Sequence, residues 1–127
     1  MKIFGIGTDI ANISRIKKSL KNQKLVARLY HKSEIQKCKK QHKQENCFAK
    51  RFAAKEAFSK ALGTGIAKGI NFNEIVVHNI KSGKPKIKIL GNTRLIVKKI
   101  FKKKKVNIFL SLSDDKPFAV ATVVISL

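Results

Sequence analysis

The sequence has no tryptophan, one tyrosine and two prolines, so its core must be built from aliphatic side chains and eight phenylalanines. No stretch approaches the roughly 20 apolar residues that a membrane helix needs. The opening segment, MKIFGIGTDI, is short and is interrupted by Gly5, Gly7 and Asp9, which does not fit a signal peptide. A cytoplasmic protein is expected. The two cysteines, Cys38 and Cys47, form neither a CxxC pair nor a metal-ligand pattern with His31, His42 or His78. They are expected to be free reduced thiols. Acidic residues are also scarce: seven Asp and Glu stand against 29 Lys and Arg, for a net charge of +22 over 127 residues. Such a surface attracts anionic partners: nucleic acid, membrane, or an acidic protein or cofactor. Most of the excess is Lys rather than Arg, and Lys lacks the bidentate fork of specific readout. The runs at Lys39–Lys40, Lys98–Lys99 and Lys102 to Lys105 are read as solvated faces.

With 43% hydrophobic residues and no linker or internal repeat, residues 1–127 are expected to form one domain. Residues 2–10 read as a strand. Residues 12–22 place Ile13, Ile16 and Leu20 at helical spacing behind a possible Asn12 cap. Residues 24–30 extend or follow that helix, and Ser33 is expected to cap another. Residues 46–62, NCFAKRFAAKEAFSKAL, make the strongest helix signal, with Asn46 as cap and Gly63 as stop. A glycine-rich loop, GTGIAKGIN, follows. EIVVHNI and PKIKIL alternate as a hairpin around KSGK. Residues 92–103 suit a Lys-faced helix with Leu95, Ile96, Ile100 and Phe101 inward, and VNIFLSLS and FAVATVVISL form a last hairpin around DDKP. The expected class is α+β, an antiparallel sheet with helices on one side.

Three stretches could carry chemistry. On the first strand, Ile3, Gly5, Gly7 and Asp9 share one face, while Phe4, Ile6, Thr8 and Ile10 share the other, expected to be core. Glycines in a strand mark close backbone approach. Either a cofactor comes in beside Asp9, or a helix crosses over the glycines and Asp9 caps the next helix. On the long helix, Glu56 lies among Ala49, Phe52 and Ala53, with Lys60 one turn on. Glu56 either pairs along the helix with Lys60 or meets Asp9. Two converging carboxylates would suit a hard cation of the Mg²⁺ type, which takes one or two carboxylates plus substrate phosphates. Arg51, Lys55 and Lys60 would then line those phosphates. Finally, Ser111 and Ser113 share a strand face in LSLSDDKP.

These stretches, in this order, resemble the bacterial holo-(acyl-carrier-protein) synthases, the short phosphopantetheinyl transferases. GIGTDIANISRI is similar to their opening motif, and FAKRFAAKEAFSKALGTGI to their signature helix and loop. GKP and SLSDDKPFAVATVVI match later motifs more loosely. The resemblance implies transfer of 4′-phosphopantetheine from coenzyme A to a serine of apo acyl carrier protein, for fatty acid biosynthesis, with release of adenosine 3′,5′-bisphosphate. It implies Mg²⁺ on Asp9 and Glu56, with Lys60 at the reacting phosphates. It puts Arg51 and the Gly83-Lys84-Pro85 turn near the nucleotide, and Arg15 and Arg28 on the surface met by the carrier protein. It also implies a homotrimer. One position departs: the family usually carries His where Asp114 stands, and the histidine's role is not transferred. A small basic nucleic-acid-binding module would account for the charge, as would a membrane-surface protein using residues 92–105. Neither explains a glycine-bared strand ending in Asp9 or Glu56 on an alanine face, so neither nucleic acid nor membrane is among the expected partners.

Overall fold

The computed structural model describes residues 1–63 and 69–127; residues 64–68 of the glycine-rich loop lie outside them. A long helix, α4 (Gln44–Leu62), runs through the middle of the molecule. Ala49, Ala53, Ala54, Ala57, Ala61, Phe48 and Phe58 are all buried, as are Asn46, Arg51, Lys55 and Ser59, so the helix is enclosed on most sides. On one side it packs against an antiparallel sheet of β1 (Ile3–Asn12), β5 (Phe118–Ser126) and β4 (Asn107–Asp115), in the order β1-β5-β4. On other flanks lie α1 (Ile13–Ser19) and α3 (Lys32–Lys39), with α2 (Gln23–Leu29) between them in the chain. A separate hairpin, β2 (Ile75–Asn79) and β3 (Pro85–Ile89), pairs antiparallel and leads into α5 (Gly91–Ile100).

The glycines of β1 exist for α4. A Cβ on Gly5 would drive into the carbonyl oxygen of Ala61, and one on Gly7 into that of Ala57. The helix crosses directly over the strand, and β5 continues the small-residue floor with buried Ala119 and Ala121. This corrects the reading of the strand's two faces. The glycine face is the packed one; Phe4, Ile6 and Ile10, expected in the core, are 42%, 63% and 59% exposed. The same outer face carries exposed Phe109 and Phe118 from the other strands. Ser111 and Ser113 also lie on it, exposed.

Caps account for several boundaries. The Asn12 side chain accepts from Arg15 N at 3.2 Å and starts α1 as expected, so Asp9 is not that helix's cap. His31, not Ser33, caps α3: its ring Nδ1 accepts from Ser33 N while Glu34 Oε1 accepts from His31 N at 2.9 Å, a reciprocal box. Helix α4 begins two residues before Asn46, which sits inside its first turn, and it ends at Gly63 with φ +79°. In α5 Val97 and Thr93 are buried but Leu95 is 59% exposed, so Leu95 is not an inward residue.

Two interior links were not read from the sequence. Cys38 of α3 and Cys47 of α4 are joined by a disulfide with Cα atoms 5.4 Å apart, in place of the free thiols expected; packing of the two helices brings together cysteines whose spacing carries no pairing signal. Lys55 is fully buried and does not line a phosphate site. Its Nζ donates to Glu34 Oε1 at 2.7 Å and to the carbonyls of Phe72 and Ile75, while Glu34 Oε2 accepts from Val77 N at 3.0 Å. Burial pulls the Lys55 ammonium down to about 8 despite the adjoining carboxylate. The pair ties α3, α4 and the β2 hairpin into one unit.

Candidate active site

Asp9 lies near the end of β1 and Glu56 on α4, which crosses that strand over Gly5 and Gly7. The crossing puts Glu56 within reach of the charge of Asp9. Glu56 is half-buried, and its carboxyl is raised first by burial and then by the charge of Asp9, with Lys60 pulling the other way. Lys60 Nζ reaches across to the strand, 3.1 Å from Asp9 Oδ1 and 2.9 Å from the carbonyl of Thr8. The ion pair of Lys60 therefore runs to Asp9 rather than along the helix to Glu56. Its side chain is 55% exposed while that of Asp9 is 17% exposed, so the ammonium sits at the mouth of the acidic pair.

The donor set here is oxygen only: two carboxylates and a backbone carbonyl. A cation already rests on Asp9 in the form of the Lys60 ammonium. Among the described residues no group of three or more His, Cys, Asp and Glu converges. Two carboxylates fit Mg²⁺, which takes one or two and retains much of its shell for water and substrate.

At the opposite end of α4 the chain forms a cavity of about 540 Å³. Arg51, Gly83 and Pro85 line it together, as expected of a common binding surface; Lys84, between them in sequence, does not. Gly83, at φ +90°, closes the β2–β3 turn, and the turn is pinned by Asn79 Nδ2 donating to its carbonyl at 2.9 Å. Arg51 is 4% exposed. Its Nη1 contacts Cys47 Sγ at 3.2 Å and its Nη2 meets Asn79 Oδ1 at 3.4 Å, while Nε has no partner. Burial lowers the guanidinium below its ordinary value, opposed by the negative charge of Glu34. A buried guanidinium that lines a cavity supplies positive charge to an anion there.

Several residues of this cavity were not singled out by the sequence. Asn46, Lys50, His42, Lys43 and Lys37 line it, as do Leu112 and Asp114 from the inward face of β4. Asn46 and Lys50 stand four apart on α4, the second immediately before Arg51, and that spacing was the available signal. Asp114 Oδ2 accepts from Asn46 Nδ2 at 2.8 Å and Oδ1 pairs with Lys50 Nζ at 3.1 Å. The Asn46 bond, then Lys50 and Lys43, hold its carboxyl below the usual carboxylate range against some loss of solvation. Arg15 on α1 and Arg28 on α2 are both exposed. Arg28 shares a second cavity, about 630 Å³, with Glu56, Phe52 and Leu25.

The chain is thus a small α+β fold with an acidic pair toward one end of its central helix and a cation-lined cavity at the other. The model of the 4′-phosphopantetheinyl transferase superfamily matches residues 5–123. The chain is 49% identical over 125 residues to the holo-[acyl-carrier-protein] synthase of Pelagibacter ubique, with 98% of each chain covered. It is 43% identical to that of Vibrio parahaemolyticus, again with 98% of each covered. The crystal structure of the Neisseria meningitidis holo-[acyl-carrier-protein] synthase superposes with a TM-score of 0.86 at 34% identity, covering 98% of this chain and 99% of that one. That of the Bacillus anthracis enzyme in complex with CoA (3′,5′-ADP) superposes with a TM-score of 0.79 at 38% identity, covering 98% and 97%. The chain belongs to the 4′-phosphopantetheinyl transferase superfamily. Within that superfamily its relatives are the holo-(acyl-carrier-protein) synthases, and it is an enzyme of their kind.

Proposed function

We propose that this enzyme transfers the 4′-phosphopantetheine arm of coenzyme A to a serine of apo acyl carrier protein, for fatty acid biosynthesis in the cytoplasm. The observation that carries this reading is Lys60 Nζ on Asp9 at 3.1 Å, beside a Glu56 carboxyl that feels the charge of Asp9. The serine oxygen attacks the β-phosphorus of coenzyme A as its proton passes to a water molecule or a carboxylate. The bond from that phosphorus to the bridging oxygen breaks, and adenosine 3′,5′-bisphosphate leaves. Asp9 and Glu56 would hold Mg²⁺, which when bound polarises the pyrophosphate and offsets its charge. Lys60 supplies a movable positive charge, and a proton if required, to the oxygen that leaves. Arg51 supplies positive charge to an anionic group of the nucleotide, with Gly83 and Pro85 shaping the cavity. Lys84, exposed beside that turn, adds charge at its rim rather than a wall.

The exposed arginines, Arg15 and Arg28, receive the acidic carrier protein. Opposite charges across such an encounter raise the association rate and are screened by salt. A homotrimer accounts for the apolar outer face of the sheet: Ile6, Ile10, Phe109 and Phe118, all at least 42% exposed, need a cover.

The deciding experiment is mass spectrometry of apo acyl carrier protein incubated with this enzyme, coenzyme A and Mg²⁺. The carrier is expected to gain the mass of one phosphopantetheine. A carrier left unmodified under conditions that serve a known synthase overturns the reading.

A further inference from the structure

The cavity at the Arg51 end of α4 contains one group whose charge works against the rest. Lys37, Lys43, Lys50 and Arg51 line it, and so does Asp114. Asp114 is not a stray surface acid. It lies on the inward face of β4 beyond Leu112, and each of its oxygens is engaged by a cavity residue: Oδ2 by Asn46 Nδ2 at 2.8 Å, Oδ1 by Lys50 Nζ at 3.1 Å. Those are the donors that the oxygens of a phosphate would use. Arg51 lines the same cavity and, among the described residues, forms no ion pair. Part of the cavity's positive charge is thus paired with the protein's own carboxylate, and part is not.

We propose that Asp114 is an internal stand-in for phosphate, which holds Lys50 and Asn46 in place in the free enzyme and competes with the nucleotide for them, so that it weakens binding of the anionic product and speeds its release. This rests on the reading that the cavity takes the nucleotide end of coenzyme A. In the free protein the Asp114 pair spares Lys50 the repulsion of Lys43 and Arg51 and keeps its side chain ordered. When an anion arrives, Lys50 exchanges one oxygen acceptor for another, and the displaced carboxylate faces the anion as a like charge. Both the exchange and the like charge cost affinity, while the ordered Lys50 limits the ordering cost of binding. A cavity with this many cations and no internal anion would hold adenosine 3′,5′-bisphosphate too long after transfer.

The test is direct titration of adenosine 3′,5′-bisphosphate into the full-length enzyme with Mg²⁺ present, with release followed by stopped flow. Asp114→Asn keeps an oxygen acceptor for the Asn46 amide and removes the charge. It is expected to bind the bisphosphate roughly tenfold more tightly, the scale of one like charge removed at short range in a partly screened site, and to release it more slowly. Asp114→Ser, smaller and also uncharged, must change affinity in the same direction. With Lys50→Ala in the background the gain from Asp114→Asn should shrink, because the contested donor is gone. Equal or weaker binding by both uncharged variants, or an undiminished gain without Lys50, overturns the proposal. If the parent enzyme transfers phosphopantetheine yet Arg51→Ala and Lys50→Ala leave bisphosphate binding unchanged, the nucleotide does not occupy this cavity. The assignment of the cavity then falls, and the role of Asp114 with it, while the transfer reaction stands.

Discussion

Lys60 Nζ lies 3.1 Å from Asp9 Oδ1, joining residues 51 positions apart across the contact between α4 and β1. The ammonium holds, in the free protein, a place on the carboxylate that a divalent ion would contest. Lys60→Ala is therefore expected to lower turnover strongly, by about a hundredfold as for other groups acting on a leaving oxygen. It should leave the affinity for Mg²⁺, read by calorimetry, unchanged or improved. A raised Michaelis constant for coenzyme A with unchanged turnover would instead assign Lys60 to ground-state binding.

Glu56 is raised by burial and by Asp9, so its ionised form is disfavoured by folding. For an acid shifted this way, the folded state is favoured below the ordinary carboxylate range, and that advantage is lost as pH rises through the raised value. Glu56→Gln should consequently stabilise the metal-free protein at neutral pH, by up to about 3 °C in melting temperature for this partly solvated group, and by progressively less toward pH 4. The same variant should lose transfer activity. Thermal melts across pH, run with chelator, check the first part; a variant less stable than the parent at pH 7 would contradict it.

Lys55 and Glu34 form a fully buried ion pair. Removing one partner strands the other charge. Lys55→Met should cost about 3 kcal/mol or more in denaturant titration. Combined with Glu34→Leu, it should cost clearly less than the two single losses added together. Near-additive losses would mean that the pair is not a coupled unit.

Gly7 faces the carbonyl of Ala57 with no space for a methyl group. Gly7→Ala should destabilise the fold by about 3 kcal/mol and separate Asp9 from Glu56, so activity should fall even in the fraction that remains folded. An alanine variant with parental stability would place the helix farther from the strand than described here.

Arg15 is exposed on α1, and Lys103 follows α5 in the Lys run. Arg15→Glu should raise the Michaelis constant for acyl carrier protein at least about tenfold at low salt, with little change for coenzyme A. Lys103→Glu should have a smaller effect. Steady-state kinetics at two salt concentrations separate local docking from generic attraction; equal effects would favour the latter.

The sequence showed the helices, the hairpins and the acidic pair because each rests on local pattern: the spacing of Ile13 and Ile16, the alternation of EIVVHNI, an acid among alanines. The direction of β1 was misread because an alternating strand does not say which face is covered. Phe4, Ile6 and Ile10 looked like core, yet only the glycines permit the approach of α4. Lys55 and Arg51 lie four apart on one helix and look alike in sequence. One is sealed against Glu34 and the other borders a cavity, and that difference depends on where α3 and the β2–β3 turn come to rest. The Cys38–Cys47 bond and the Asp114 contacts with Asn46 and Lys50 likewise join separate elements.

Helix α4 carries both ends of the candidate site, and this makes it a ruler. Asn46 and Lys60 are four turns apart, about 21 Å along the axis, and Arg51 and Glu56 about 7.5 Å. The spacing between the charge proposed to receive a nucleotide and the carboxylate proposed to help hold its metal is thereby set by a rigid rod, not by loops. Inserting a single residue between Arg51 and Glu56 would lengthen that rod by only about 1.5 Å but rotate one end about 100° against the other. On the proposed reading, the residue count between those two positions is fixed by the dimensions of the molecule they grip.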